Sequence, residues 1–248
     1  MAATFGYVDD FTAVGTSGWS GGTPVSNPGT GGVDGAADGY LLLDSAFPGN
    51  FGSRTLDPNY QGDWHAAGIT KVTFYLNDVG TPEDFEVHFL VHFFDTTWQY
   101  NIGFHPPAGC WRKFTVDLTN VADWTRTRGA RSLHDVLSSV ERVVIRHDLA
   151  PYLDFPDSIA GDLGIDKITL GFTPPTCHAV WADADDDGDV DSVDFAMFQT
   201  CLSSCGLIPP TCVCFDHNAD GLIDAADLLD FEQCAGGPNL PPDPSCSP

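Results

Sequence analysis

The acidic stretch at residues 183–194, Asp-Ala-Asp-Asp-Asp-Gly-Asp-Val-Asp-Ser-Val-Asp, recurs thirty-three residues later at 216–227 as Asp-His-Asn-Ala-Asp-Gly-Leu-Ile-Asp-Ala-Ala-Asp. Both copies carry oxygen side chains at positions 1, 3, 5, 9 and 12, glycine at position 6, and Val or Ile at position 8. This is the spacing of a calcium-binding loop, in which short side chains converge on one hard cation and the glycine permits a sharp turn. Two copies in register predict two calcium sites.

Each loop is predicted to bind one Ca²⁺ through six positions, with position 7 supplying its backbone carbonyl and position 9 binding directly or through water. The predicted ligands are Asp183, Asp185, Asp187, Asp189, Asp191 and Asp194 in the first loop, and Asp216, Asn218, Asp220, Leu222, Asp224 and Asp227 in the second. Without metal the carboxylates of the first loop would repel one another, so calcium is expected to be part of the fold. The alternative, an acidic solvated turn without an ion, does not explain the paired glycines and paired aliphatic residues.

A helix is predicted after each loop, but none before it. Apolar residues recur at i, i+3 and i+7 in both following segments: Phe195, Phe198 and Leu202, then Leu228, Phe231 and Ala235. A duplicated loop-helix unit with Asp at position 12 resembles a dockerin module, over about residues 177–236. The resemblance implies two antiparallel units (paired F-hands) related by a pseudo-twofold axis. It also implies docking onto a cohesin-like protein partner through helix residues and loop positions 10 and 11.

Seven of the eight cysteines lie at or after residue 177, which predicts disulfides and an oxidising compartment. The protein is therefore expected to be secreted, either extracellular or at a cell surface. If the two units are antiparallel, each helix end approaches the start of the other loop, which pairs Cys201 with Cys212 or Cys214, and Cys234 with Cys177. A rival interpretation is a zinc site, although its spacing is unusual; its ligands would be Cys201, Cys205, Cys212 and Cys214.

The chain is strongly acidic, with 35 Asp and Glu against 10 Lys and Arg and a net charge of −25. Residues 177–248 contain no Lys or Arg. Nucleic acids and anionic membranes attract basic surfaces, so neither is an expected partner. No apolar stretch approaches the ~18 residues of a membrane span, so membrane insertion is not expected.

Residues 1–173 are predicted to form a jelly-roll β-sandwich, which makes the fold class mainly β with a small helical calcium domain at 177–236 and a Pro- and Cys-containing tail at 237–248. Alternating or apolar runs separated by turn residues predict strands at 40–43, 72–76, 85–94, 113–118, 142–146 and 165–170. One short helix is predicted at 132–140, and a long surface loop at 12–39. A hinge is predicted at Pro174-Pro175.

The two ends of this domain, Asp9-Asp10-Phe11 and residues 164–170, resemble the first and last strands of jelly-roll domains of the carbohydrate-binding and galactose-binding-like type. The resemblance implies that these strands pair and that a structural calcium lies near them. Asp9, Asp10 and Asp166 are the candidate ligands for this third ion.

The predicted strand at 85–94 has an apolar set of odd positions and a mixed set of even positions that includes His88 and His92. Together with Trp98 and Tyr100 in the following run, these histidines could form a ligand face for a polysaccharide. The alternative is that other segments cover this face and that the histidines are satisfied polar residues.

No nucleophile elbow, phosphate loop or marked carboxylate pair is present in the sequence, so a non-catalytic protein is predicted. The first hypothesis is assembly, in which the calcium module docks onto a cohesin-like partner or onto a second copy to give a scaffold or filament. The second is a carbohydrate-binding protein that recognises a polysaccharide through the sandwich. The third is a small glycoside hydrolase.

Overall fold

A computed structural model describes residues 3–171, 177–243 and 246. The chain divides into two compact units, Met1–Phe172 and Thr173–Pro248. The predicted hinge at Pro174-Pro175 lies outside the described residues. Within those residues, no helix combines the length and apolar character needed to cross a bilayer.

The described part of the N-terminal unit is a two-sheet β-sandwich. Its strands are β1 (Val8–Asp9), β2 (Val25–Ser26), β3 (Leu41–Asn50), β4 (Gly52–Thr55), β5 (Lys71–Asp78), β6 (Val87–Phe93), β7 (Thr96–Tyr100), β8 (Arg112–Asp117), β9 (Trp124–Arg128), β10 (Arg142–His147) and β11 (Ser158–Leu170). Sheet A has the order β2-β3-β11-β5-β8, with β1 also paired to β11, and sheet B has the order β4-β10-β6-β7-β9. The predicted mainly-β sandwich is confirmed.

The core lies between the two sheets because inward-facing residues alternate along the strands. Phe74 of β5 and Phe89 of β6 face each other with ring centroids 6.1 Å apart. Each of the six predicted strands overlaps an observed strand, and the predicted short helix is α1 (Leu133–Leu137). The predicted pairing of the domain's two ends is also observed, since β1 runs antiparallel to β11 with Asp9 opposite Ile168.

The predicted loop at 12–39 covers part of sheet A rather than lying free. Val33 and Tyr40 pack with Tyr75 and Trp111 in a small apolar cluster. The indole Nε1 of Trp111 donates a hydrogen bond to the carbonyl of Gly31 at 2.9 Å. This face of the sandwich is therefore partly occupied by the protein's own chain.

In its described residues, the C-terminal unit has two α-helices, α2 (Ser192–Cys201) and α3 (Ala225–Cys234), each following one acidic loop. Phe198 and Phe231, which are equivalent in the repeat, are buried, and their tilted rings pack with centroids 5.2 Å apart. Phe215 completes this cluster. Leu202, predicted to face inward, is 54% exposed because α2 ends one residue earlier.

Among the residues that the structure describes, three disulfides lie within the C-terminal unit: Cys177–Cys214, Cys201–Cys212 and Cys234–Cys246. Cys201 has one of its two predicted partners, but the predicted pairing of Cys234 with Cys177 is wrong. The segments that enter the two loops pair with each other, and the chain after α3 turns back to Cys234 instead. The disulfides of Cys201, Cys212 and Cys214 also rule out the zinc interpretation.

The predicted end of the helical unit at residue 236 is also wrong, because the chain after α3 turns back onto the unit. Residues beyond α3 are part of the helical unit, because the backbone N–H groups of Gly236 and Gly237 both donate to the carbonyl of Val190 at 3.1 Å. The Cys234–Cys246 disulfide ties the tail to α3. The described part of the tail therefore belongs to the fold of the unit.

Candidate functional site

The two acidic loops share one internal hydrogen-bond pattern at equivalent positions. The position-1 carboxylate accepts from the glycine N–H at position 6, with Asp183 to Gly188 at 3.0 Å and Asp216 to Gly221 at 3.2 Å. These glycines have φ of 92° and 87°, in the region that side chains disfavour. The position-5 side chain accepts from the position-7 N–H in both loops. The repeat in sequence is thus a repeat in conformation.

The aspartate at position 12 joins the start of each loop to the start of the following helix. Asp194 accepts from the N–H groups of Ala184 at 2.8 Å and Asp191 at 2.8 Å. Asp227 accepts in the same way from His217 and Asp224, both at 2.9 Å. Positions 9 and 12 therefore form a capping box on α2 and on α3, which accounts for the short side chain at position 12.

Two equivalent backbone hydrogen bonds join the two loop-helix halves. Ser203, two residues after α2, donates its N–H to the carbonyl of Ile223 at position 8 of the second loop, at 3.0 Å. Gly236, two residues after α3, donates its N–H to the carbonyl of Val190 at position 8 of the first loop, at 3.1 Å. Each helix end thus meets the opposite loop.

The donor set of the first loop fits a hard divalent cation. Carboxylate oxygens of Asp183, Asp185 and Asp187 lie within 4.8 Å of one another, as do those of Asp189, Asp191 and Asp194. Burial and the neighbouring Asp187 and Asp194 raise the pKa of Asp185. Bound Ca²⁺ would supply the positive charge that offsets this repulsion.

The predicted third calcium site is not formed by its named residues. The buried carboxylate of Asp9 accepts three hydrogen bonds, from Trp19 Nε1 at 2.9 Å and from the hydroxyls of Tyr60 and Tyr7 at 2.8 Å each. Asp10 is exposed and bonds Thr12. Three neutral donors satisfy Asp9, so it acts as a structural anchor rather than as part of a carboxylate cluster.

Asp166 likewise has its own partners. Its carboxylate accepts from the N–H of Val33 at 2.9 Å and of Lys167 at 2.7 Å. Burial raises its pKa to about 7 despite these two hydrogen bonds. Within the described residues, Asp9, Asp10 and Asp166 are not among the acidic groups close enough to share an ion.

The predicted ligand face of the sandwich is also wrong, because its four residues lie on opposite faces of sheet B. The hairpin register pairs His92 with Thr97 and Val91 with Trp98. Paired residues share a face, so Trp98 and Tyr100 point with Val91 into the core and the histidines point outward. Sequence alone could not set this register.

His88 is a satisfied buried residue, as the alternative interpretation held. Its Nδ1 is 2.7 Å from the carbonyl of Tyr100 and its Nε2 is 3.0 Å from Glu86 Oε1. The Tyr152 ring packs edge-on against it at 4.8 Å. A ligand cannot reach His88 without displacing Tyr152.

Arginines concentrate on sheet B. Its strands hold five of the ten basic residues of the chain: Arg54, Arg126, Arg128, Arg142 and Arg146. One cross-strand row on the outer face runs Arg142, His92, Thr97 and Arg128. Burial and the neighbouring Arg54 and Arg128 charges lower the pKa of Arg142. We define this outer-face group, with Arg54, as the arginine row.

Two polar atoms of this face are buried without a hydrogen-bond partner among the described residues, Arg142 Nε and Gln99 Nε2. Gln99 is fully buried, and its other amide atom accepts from Arg146 Nε at 3.0 Å. Burial of a polar group without a partner is unfavourable. Both atoms are donors, but they lie below the surface, so a ligand on this face would meet the charge of the arginine row rather than these atoms. The signal in the sequence was the clustering of arginines in an acidic chain.

No protein-family model matches the chain, and no curated protein matches its sequence. Among solved structures, it is similar to a family 11 carbohydrate-binding module from Clostridium thermocellum in complex with a β-1,3-1,4-mixed-linked tetrasaccharide (14% identity, TM-score 0.46, 68% of this chain and 97% of the module). It is also similar to an exo-β-agarase, of which it spans 30% (15% identity, TM-score 0.47, 79% of this chain). A third similar structure is a cleaved adhesin domain of Lys-gingipain from Porphyromonas gingivalis (14% identity, TM-score 0.38, 67% of this chain and 98% of the domain). At these identities and TM-scores we draw no conclusion about ligand or activity from the likeness.

Proposed function

We propose that this is a secreted, non-catalytic binding protein in which a calcium-loaded, dockerin-like C-terminal unit attaches a polysaccharide-binding β-sandwich to a protein partner. Secretion is supported by the three disulfides of the small C-terminal unit, since such bonds persist in oxidising compartments. The calcium and docking part is supported by the equivalence of the two loops in their oxygen-bearing side chains, their turns and their helix caps.

Docking is supported by apolar side chains left exposed on α2. Val193, at loop position 11, is 51% exposed and Met197, one turn further, is 39% exposed. Residues at i and i+4 share a helix face, so the two form one apolar stripe beside the first loop. The partner is a cohesin-like protein or a second copy of this chain, and calcium fixes the helix that presents the stripe.

Light scattering of the full chain distinguishes between these two candidate partners. Calcium-dependent growth in mass that reverses with chelator would identify a second copy, and Val193→Asp should abolish that growth. Val121→Asp, at an exposed position in the sandwich, is the matched control. If the chain stays monomeric in calcium, pull-down with a purified cohesin domain tests the other partner. Failure of both assays would exclude docking through this stripe.

The polysaccharide part of the proposal rests on the positive charge that the arginine row places on the outer face of sheet B. Sugar hydroxyls and carboxylates are acceptors, and a guanidinium binds a carboxylate through paired hydrogen bonds. A chain of net charge −25 repels acidic polymers in general, so selective binding of one needs a local basic site. We therefore propose a polysaccharide with acidic sugar units as the ligand.

Arg142→Gln is expected to weaken binding of an acidic polysaccharide by about tenfold or more, because it removes one charge-assisted hydrogen-bonding group. Affinity electrophoresis in gels containing polygalacturonate, alginate or neutral β-glucan measures the retardation. Arg112→Gln removes the same charge from sheet A and should leave the retardation unchanged. Equal mobility of the wild-type chain in all gels would contradict the proposal, and retardation by β-glucan alone would contradict the acidic ligand.

A further inference from the structure

Three carboxylates meet in the sandwich at a place that neither the calcium loops nor the arginine row includes. Asp78 ends β5, Asp162 lies on β11, and Glu83 follows β5 in the connecting loop. Oxygens of all three lie within 4.8 Å of one another. The strand pairing brings them together, since Leu163 is directly opposite Asp78. No lysine or arginine forms a described ion pair with any of them.

Backbone N–H groups orient two of the three carboxylates, those of Asp78 and Asp162. Asp78 Oδ2 accepts from the N–H of Glu83 at 2.8 Å, and Asp162 Oδ1 accepts from the N–H of Gly80 at 2.8 Å. These two bonds fix the loop after β5 against β11. They leave the second oxygen of each carboxylate available for another partner.

Two buried oxygens in the cluster lack a partner. Asp78 is only 2% exposed, yet its Oδ1 has no hydrogen-bond partner among the described residues, and the same is true of Glu83 Oε2. A side chain at Gly161 would also intrude, because a Cβ there would lie 2.8 Å from the Glu83 carboxylate. A buried, unpartnered carboxylate oxygen beside two other carboxylates is unfavourable unless a cation or a proton neutralises the cluster.

We propose that Asp78, Glu83 and Asp162 bind one Ca²⁺ in the β-sandwich, separate from the ions of the two acidic loops. All three donors are carboxylate oxygens, the ligand type that a hard divalent cation prefers. Ca²⁺ suits the site better than Mg²⁺, because one ligand lies on a connecting loop and Mg²⁺ demands a strict octahedron. The ion would clamp that loop to β11.

Glu83→Gln gives a test in which loss of metal binding and relief of charge repulsion change the melting temperature in opposite directions. With calcium, the full-length variant should bind one ion fewer than the wild type by equilibrium dialysis and elemental analysis, and the sandwich should melt several degrees lower by calorimetry. With chelator, the variant should melt at the same temperature or higher, because one of three repelling charges is gone.

Asp84→Asn, an exposed acid next to Glu83, is the matched control and should change neither the ion count nor the melting temperature. Asp162→Asn serves as a second variant should Glu83→Gln not fold in calcium. The result that overturns the site is an unchanged ion count with a higher melting temperature in both buffers. The number of bound ions in the variant is compared with that in the wild type. A failure of the acidic loops to bind calcium would lower both numbers equally and would leave their difference unchanged.

Discussion

Removal of calcium is expected to unfold the C-terminal unit at a temperature at which the calcium-loaded unit is folded. Each ion bound only by the native state adds about 3 kcal/mol when free calcium exceeds its Kd by about a hundredfold, so two ions account for most of the stability of a small module. Its apolar core, centred on Phe198, Phe215 and Phe231, is too small to hold the acidic loops together alone. Calorimetry of the full chain in calcium and in chelator measures the change.

Asp185→Ala should reproduce part of this effect, because it removes one of the six predicted ligands of the first loop. Asp186→Asn is the matched control. It removes the same charge from the same loop at position 4, where Asn tolerates the φ of 59°. Equal melting in calcium and chelator, or equal effects of the two variants, would show that the loops take their shape without an ion.

Replacement of Arg146 by methionine is expected to cost about 3–5 kcal/mol of unfolding free energy, the usual effect of breaking a buried ion pair. Its guanidinium is buried and lies 2.7 Å from Asp148, which is 1% exposed. It also donates to the carbonyls of Leu153 and Asp154 at 2.7 and 2.9 Å, holding that loop onto sheet B. Urea unfolding at neutral pH gives the value.

The double variant Arg146→Met with Asp148→Leu separates the ion pair from the loop contacts. It should recover much of the loss, because no buried carboxylate is then left without its partner. A loss below about 1 kcal/mol in the single variant would mean that the pair contributes little and that the loop over His88 is held by other contacts.

The acidic loops were predictable because every signal in them is local. Ligand spacing, the glycine turn and the pairing of positions 9 and 12 all lie within twelve residues, and the copy at an offset of thirty-three repeats them. The same locality made most of the strands readable from alternation. Whether an ion occupies either loop stays a prediction.

Most of the errors concern contacts between distant segments. Trp98 and Tyr100 were placed with the histidines because sequence cannot say how β7 pairs with β6. Asp9 was assigned to a metal because its three aromatic donors are up to 51 residues away. The cluster of Asp78, Glu83 and Asp162 spans strands far apart in the chain, so no motif could reveal it.

The bond from the N–H of Asn239 to the Asp189 carboxylate has a practical consequence for transplanting the helical unit onto another protein. A fragment cut at residue 236 would lose this cover on the first loop and the Cys234–Cys246 link as well. A portable tag built from this unit should therefore begin before Cys177 and continue through Cys246.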